Sequence, residues 1–203
     1  MTLILSKKYN PLFDSKARYF IITGGRGSGK SFAVTVFLTL LTMSRGIRVL
    51  FTRFTMTSAH LSIIPEFLEK IGLLGFDETF SINKSEVVNA KNKSDILFRG
   101  IKTSAGNQTA SLKSLQGIST WVLDEAEELV DENIFDTIDL SIREKNIQNR
   151  VILILNPVTK EHWIYKRFFE DKGVEGGFNG VKDNVCYIHS TYLDNETNLS
   201  QSF

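Results

Sequence analysis

The octet Gly24-Gly25-Arg26-Gly27-Ser28-Gly29-Lys30-Ser31 has the residue types and spacing needed to wrap phosphate groups. Glycines let the backbone approach an anion with no Cβ in the way. Successive N–H groups can then point inward, and a following helix adds the positive end of its dipole. Lys30 can reach the β- and γ-phosphates, and the Ser31 hydroxyl is a natural Mg²⁺ ligand. The apolar run Tyr19–Thr23 before the loop suits a buried strand, and Phe32 to Met43 after it suits a core-facing helix. That context favours nucleoside triphosphate binding over a plain glycine-rich turn.

Hydrolysis asks for more than a phosphate grip. Thr120-Trp121-Val122-Leu123 is an apolar strand that ends in Asp124-Glu125. A carboxylate at the end of a buried strand can hold Mg²⁺ beside the phosphate loop, the role assigned to Asp124. Glu125, on the turning backbone, is placed to orient and deprotonate an attacking water. An acidic helix start would give the same run, since carboxylates complement a helix dipole. Arg26 inside the loop could touch the γ-phosphate and stabilise transition-state charge. It could equally be solvated, or pair with Glu127.

Asn156, after the strand Val151–Leu155, could sense the γ-phosphate, although Asn-Pro is also an ordinary turn signal. Upstream of the first strand, Tyr9 could stack on adenine and Asn10 bond to it; a turn explains both almost as well. Asn92-Lys93-Ser94-Asp95 spells the N-K-x-D pattern by which GTPases read guanine. It precedes Asp124 instead of following it and sits where turn residues are expected, so guanine specificity is rejected. His60, His162 and His189 have no ligand spacing. Trp163, Tyr165, Phe168 and Phe169 read as core residues.

The elements that must carry these groups alternate. Arg48–Thr52 reads as a second strand and Thr57–Ile71 as a helix capped by Ser58. Between Phe80 and Arg99 the period shifts to two, which predicts a small antiparallel meander of Phe80–Ile82, Val87–Ala90 and Ile96–Phe98. Gly100–Gly117 reads as a surface loop. A helix near Ile134–Ser141, the strand at 151–155, a helix over Glu161–Phe169 and a last strand at Val185–Ser190 follow. The fold class is α/β: a largely parallel sheet flanked by helices, with an antiparallel insertion around 80–99 and the ligand at the strands' carboxyl ends. Residues 1–172 are assigned to the ATPase domain and 173–203, opening on a glycine-rich stretch, to a C-terminal extension or linker.

At 203 residues the chain can bury one substantial α/β core. A net charge of +1 announces no overall basic field, so any polyanion surface must be local or lie outside this chain. The single Cys186 rules out an internal disulfide and a Cys-rich zinc site, which suits a reducing compartment. No segment reaches the apolar length of a membrane span, and the first residues do not form a signal peptide.

The loop with its interior arginine, Asp124-Glu125 followed by Ala126-Glu127-Glu128-Leu129, and Ile154-Leu155-Asn156-Pro157 together resemble the ATPase domain of tailed-phage large terminase subunits. Val49–Arg53, Leu115–Ile118 and His189–Asn195 add matching segments, so the likeness covers nearly the whole chain. It implies a P-loop NTPase of the RecA/ASCE type that hydrolyses ATP with Mg²⁺ to drive double-stranded DNA into a procapsid. It gives Arg26 the γ-phosphate sensor role and Asn156 a place in the motif coupling hydrolysis to movement. It further implies portal protein and small terminase subunit as partners, a homo-oligomeric ring on the capsid, and the host cytoplasm as location. Some members take a second arginine from a neighbouring subunit; here that stretch offers Lys113, with Arg99 and Arg143 nearby. The family's C-terminal nuclease has no room after Phe203, so no nuclease activity is expected. Another P-loop translocase, or a nucleotide-gated assembly module, remains the alternative.

Overall fold

In the computed structural model, residues 4–56, 63–103, 106–107, 112 and 115–198 are described. Among them, ten strands form one sheet: β1 (Tyr19–Thr23), β2 (Arg48–Thr55), β3 (Phe80–Ile82), β4 (Glu86–Asn89), β5 (Asp95–Thr103), β6 (Gly106–Asn107), β7 (Thr120–Asp124), β8 (Arg150–Leu155), β9 (Gly180–Lys182) and β10 (Val185–His189). Their order is β3-β4-β5-β2-β7-β8-β1-β10-β9, with β6 on β5. The central strands β5, β2, β7, β8, β1 and β10 run parallel. The α-helices among the described residues include α1 (Pro11–Asp14), α2 (Lys30–Leu41), α3 (Ile63–Leu73), α4 (Glu132–Asp139) and α5 (Trp163–Tyr165).

Central strands buried on both faces need near-continuous apolar runs, and Val49–Phe51, Ile96–Phe98, Trp121–Leu123 and Val151–Leu155 supply them, with polar and charged residues toward the strand ends. Along β1, Phe20 and Ile22 enter one core while Ile21 enters the other. On β7, Val122 faces the first core and Trp121 and Leu123 the second. The first core also takes Ala33, Val34 and Phe37 of α2 and Ile64 and Phe67 of α3; the second takes Phe135 and Ile138 of α4 with Trp163 and Phe168. Burying each such side chain contributes roughly 1.5–3 kcal/mol. The polar tip of Trp121 is satisfied too, its Nε1 donating to Thr52 Oγ1 at 2.9 Å.

Several boundaries differ from expectation. The meander exists, with β3–β4 and β4–β5 antiparallel, but β5 also pairs in parallel with β2 and so extends the main sheet. β5 continues to Thr103, into the stretch expected to be loop, because its partner β2 continues to Thr55. The helix expected to end at Ile71 runs on to Leu73; its described part is Ile63–Leu73, and the expected start at Thr57 with the Ser58 cap lies outside the described residues. The expected helix at 161–169 is a short α-turn followed by a π-helical segment, Lys166–Glu170.

The boundary drawn at 172 needs correction. β10 pairs with β1 along its whole length, and Cys186, Tyr187 and Ile188 are buried. Residues 180–189 are therefore part of the sheet, and Gly173–Gly180 connects into it.

Candidate functional site

Parallel pairing brings the functional residues to one level at the carboxyl edge of the sheet. Thr23 is in register with Leu155, Asp124 with Ile154, and Thr52 with Leu123. The phosphate loop after Thr23, Arg53 after Thr52, Asp124 at the end of β7 and Asn156 beyond β8 thus meet at one cleft. Its volume is about 360 Å³, and it is lined by Gly25 through Ser31 together with Arg53, Asp124, Glu125, Glu127 and Asn156.

Two glycines of the loop are required, one by space and one by its backbone angle. A Cβ at Gly24 would stand 2.1 Å from the Ser190 carbonyl oxygen. Gly29 has φ +82, and its Cβ would sit 3.2 Å from Asn195 Cγ. Immediately after Gly29 the chain enters α2, which directs Lys30 and Ser31 toward the cleft. Lys30 Nζ donates to the carbonyls of Gly24 at 2.5 Å and Gly25 at 3.0 Å, and reaches Asn156 Oδ1 at 3.5 Å. Burial lowers the Lys30 pKa, against the raising pull of Glu127 and Asp124. Ser28 Oγ donates to the Gly25 carbonyl at 2.7 Å. Arg26 is exposed at the rim.

Across the cleft, Asp124 is 3% exposed. Its Oδ2 accepts from Arg53 Nε at 2.8 Å and Nη2 at 2.6 Å. Arg53 Nε also lies 3.6 Å from Glu125 Oε2. Glu125 holds φ +54, an uncommon conformation for a side-chain-bearing residue, and turns the chain sharply away from β7. Burial raises its pKa, with Arg53 opposing. Asn156 Nδ2 donates to Glu127 Oε1 at 2.7 Å; the pairing of Arg26 with Glu127 is not what forms. Among the described residues, Glu127 Oε2 is buried and meets no hydrogen-bond partner.

Oxygen donors suit magnesium, which takes one or two carboxylates and keeps its remaining positions for water and phosphate. Asp124 and Ser31 supply such oxygens on the walls of one cleft. The Arg53 guanidinium engages Asp124 Oδ2, so an ion at this carboxylate would share or replace that contact. The residues present therefore fit the ion.

One expectation changes. Tyr9 is 2% exposed and offers no open face for a base; its hydroxyl donates to the Ser28 carbonyl at 2.9 Å and shares a hydrogen bond with Ser190 Oγ at 2.5 Å. It props the loop from beneath. Asn10 is exposed beside it, before α1. The guanine-like tetrad lies at the amino ends of the strands, away from the cleft. There Asn92 Nδ2 donates to the carbonyls of Thr42, Met43 and Ser44, and Asp95 pairs with Arg48. Among the histidines, His162 Nδ1 accepts from Ile164 N and His189 Nδ1 bonds Thr23 Oγ1, while His60 lies outside the described residues.

Sequence reasoning missed three contributors. Arg53 was visible as the end of the matching segment Val49–Arg53, but with no role at the site. Glu66 of α3 has its pKa raised by burial, with Asp124 adding to the rise and Lys70 and Arg53 opposing it. Asn195 donates from Nδ2 to the Gly27 carbonyl at 2.8 Å. No local pattern marks that contact.

A family model described as phage terminase large subunit matches residues 16–202. The chain belongs to the phage terminase large subunit family. The large subunit of terminase from Bacillus phage SPP1 is 25% identical over 98% of this chain and 48% of its own length. The large terminase of a thermophilic bacteriophage matches with a TM-score of 0.75 at 14% identity, over 98% of this chain and 48% of that one. That protein has also been solved in complex with ADP and with ATP-gamma-S. The N-terminal domain of the DNA packaging ATPase from bacteriophage phi29 matches with a TM-score of 0.67 at 15% identity, over 89% of this chain and 93% of that domain. The chain thus spans about half the length of the curated family member it matches.

Proposed function

We propose that this chain is a magnesium-dependent ATPase that powers the packaging of double-stranded DNA into a viral procapsid. The observation that carries the proposal is the single cleft uniting residues 25–31 with Asp124 and Glu125. Membership of the terminase family directs that ATPase to DNA packaging.

In this reading Lys30 leaves the Gly24 and Gly25 carbonyls for the β- and γ-phosphates, while the loop N–H groups hold the remaining anionic oxygens. Ser31 and Asp124 would hold Mg²⁺, which neutralises phosphate charge as it develops. Glu125 accepts a proton from the attacking water as its oxygen bonds the γ-phosphorus. The bond to the β-phosphate oxygen breaks, leaving ADP and phosphate. Arg26 swings in from the rim to offset charge on the transferred group, and Asn156 exchanges Glu127 for the γ-phosphate. Asn10 contacts the adenine.

Double-stranded DNA, portal protein and small terminase subunit are the partners of this reading, in a homo-oligomeric ring within the host cytoplasm. Among the described residues no helix is long and apolar enough to cross a membrane. A neighbouring subunit's arginine remains unassigned: Lys113 lies outside the described residues, Arg99 donates to the Ser85 and Phe98 carbonyls, and Arg143 lines a separate cavity.

The test is phosphate release by the chain with and without double-stranded DNA, beside Lys30→Ala and Glu125→Ala. Turnover that DNA stimulates and both substitutions abolish supports the proposal. Wild-type turnover retained by both variants overturns it.

A further inference from the structure

A phosphate loop works only if its N–H groups face the anion. In a planar trans peptide the carbonyl points opposite to the next residue's N–H, so every inward N–H has an outward carbonyl behind it. Those outward carbonyls need donors, because unpaired buried backbone groups are costly. What supplies the donors therefore shapes the loop.

Two of them come from side chains remote in sequence. The Gly27 carbonyl, back to back with the Ser28 N–H, accepts from Asn195 Nδ2 at 2.8 Å. The Ser28 carbonyl, back to back with the Gly29 N–H, accepts from the Tyr9 hydroxyl at 2.9 Å. Each donor is itself held. Asn198 Nδ2 donates to Asn195 Oδ1 at 2.8 Å, which turns the Asn195 amino group toward the loop. Asp194 Oδ2 accepts from Thr191 N and from Lys8 Nζ, at 2.8 Å and 2.9 Å, and so ties the 192–198 turn to the start of the chain. At the base, Ser190 N donates to the Thr23 carbonyl at 3.0 Å.

We infer that residues 190–198 form a brace that presets the phosphate loop, and that Asn195 is a positioning residue for nucleotide binding. The inference rests on the nucleotide reading of the loop. Asn195 acts on the anion through the Gly27–Ser28 peptide and leaves Glu125, across the cleft, free to work once nucleotide is bound. Its loss therefore shows in affinity before turnover. Asn195 is only half-buried, so truncating it opens no core cavity.

The experiment measures ADP binding by the full chain with a fluorescent ADP analogue, together with KM and kcat for ATP, in wild type, Asn195→Ala and Asn195→Asp. Removing the amide should raise the ADP Kd and the ATP KM about tenfold, the scale of one lost hydrogen bond that orients a ligand site. kcat should fall by no more than about twofold. Asn195→Asp, which turns an acceptor toward the Gly27 carbonyl, should weaken binding further. Equal ADP affinity in wild type and Asn195→Ala overturns the brace and leaves the ATPase reading standing. A kcat loss that matches the KM rise, with a lowered melting temperature before nucleotide is added, also overturns it in favour of a merely structural contact. Wild-type chain that binds ADP yet never turns over ATP overturns the ATPase reading and leaves the brace.

Discussion

The sheet places two kinds of neighbour on either side of the phosphate loop. Toward β8, β7 and β2 the loop looks across an open cleft at charge: Asp124, Glu125, Arg53 and Glu127. Toward β10 it rests on neutral donors, the Tyr9 hydroxyl and the Asn195 amide, with the Ser190 N–H on the Thr23 carbonyl at its base. The difference follows from what each side must do. Charges facing a cleft can exchange partners when a ligand arrives, as Lys30 can exchange backbone carbonyls for phosphate. Neutral donors on backbone carbonyls have no charge to exchange with an incoming ligand, so they are expected to keep their geometry when it binds. Chemistry belongs to the charged side and shape to the neutral one.

The widest separation between the two sides should come from Glu125→Gln. Removing the proposed base while keeping its shape is expected to lower kcat by about 10²–10⁴-fold. ADP affinity should stay near wild type, since the neutral side is intact. Steady-state turnover alongside ADP binding checks this, and a parallel loss of both would dissolve the distinction. On the neutral side, Cys186 reports whether β10 is as fixed as the sheet implies. The thiol is fully buried, and burial pushes its pKa up to about 11. In the folded chain at pH 8 its thiolate population should lie roughly a hundredfold below that of a free thiol. Iodoacetamide labelling followed by mass spectrometry should show no adduct until urea unfolds the chain. Rapid labelling of the folded chain would mean that β10 belongs to a loose extension.

The charged side was far more legible in the sequence than the neutral one, for a physical reason. Gly24 to Ser31 sit on one strand–loop–helix unit, and Asp124-Glu125 end one apolar strand, so each signature is local. Their meeting then follows from parallel strands sharing a carboxyl edge. Asn195 and Gly27 are 168 residues apart, and an Asn–carbonyl bond leaves no mark in composition or periodicity. Tyr9 was noticed for the wrong role: an aromatic near a phosphate loop suggests stacking, and only burial distinguishes a prop from a platform. The helix expected over 161–169 erred differently. Its apolar stripe is real, but the chain takes π-helical geometry over Lys166–Glu170, with Phe168 and Phe169 both buried. Periodicity alone does not tell the two windings apart.

Arg53→Met sharpens the comparison by removing charge and keeping bulk. Asp124 then keeps a buried carboxylate with no cation before ligand arrives. Breaking fully buried pairs costs about 3–5 kcal/mol, and partial solvation of Arg53 should reduce this to roughly 2 kcal/mol. Urea unfolding of the nucleotide-free chain measures it. A saturating Mg²⁺–ADP mixture should recover most of that loss, because the ion would meet the same need at Asp124. An equal deficit with and without the mixture would mean that Arg53 is only a structural partner.

The smallest effect is expected from Tyr9→Phe, which tests the neutral side with one atom. The ring stays in its buried slot, and the Ser28 carbonyl and Ser190 hydroxyl lose a common partner. Each lost neutral hydrogen bond costs about 1 kcal/mol net, and a buried carbonyl left unpaired sets the upper end near 2 kcal/mol. Because the Gly29 N–H behind that carbonyl is then less firmly aimed, ATP KM should rise a few-fold while kcat holds. Combining it with Asn195→Ala decides whether the two props act together. The Ser28 peptide group lies between the Gly27 and Ser28 carbonyls they hold, so the double variant should depart from additivity by about 0.5 kcal/mol or more. Simple additivity in the ADP Kd would instead mean two independent contacts that happen to touch the same loop.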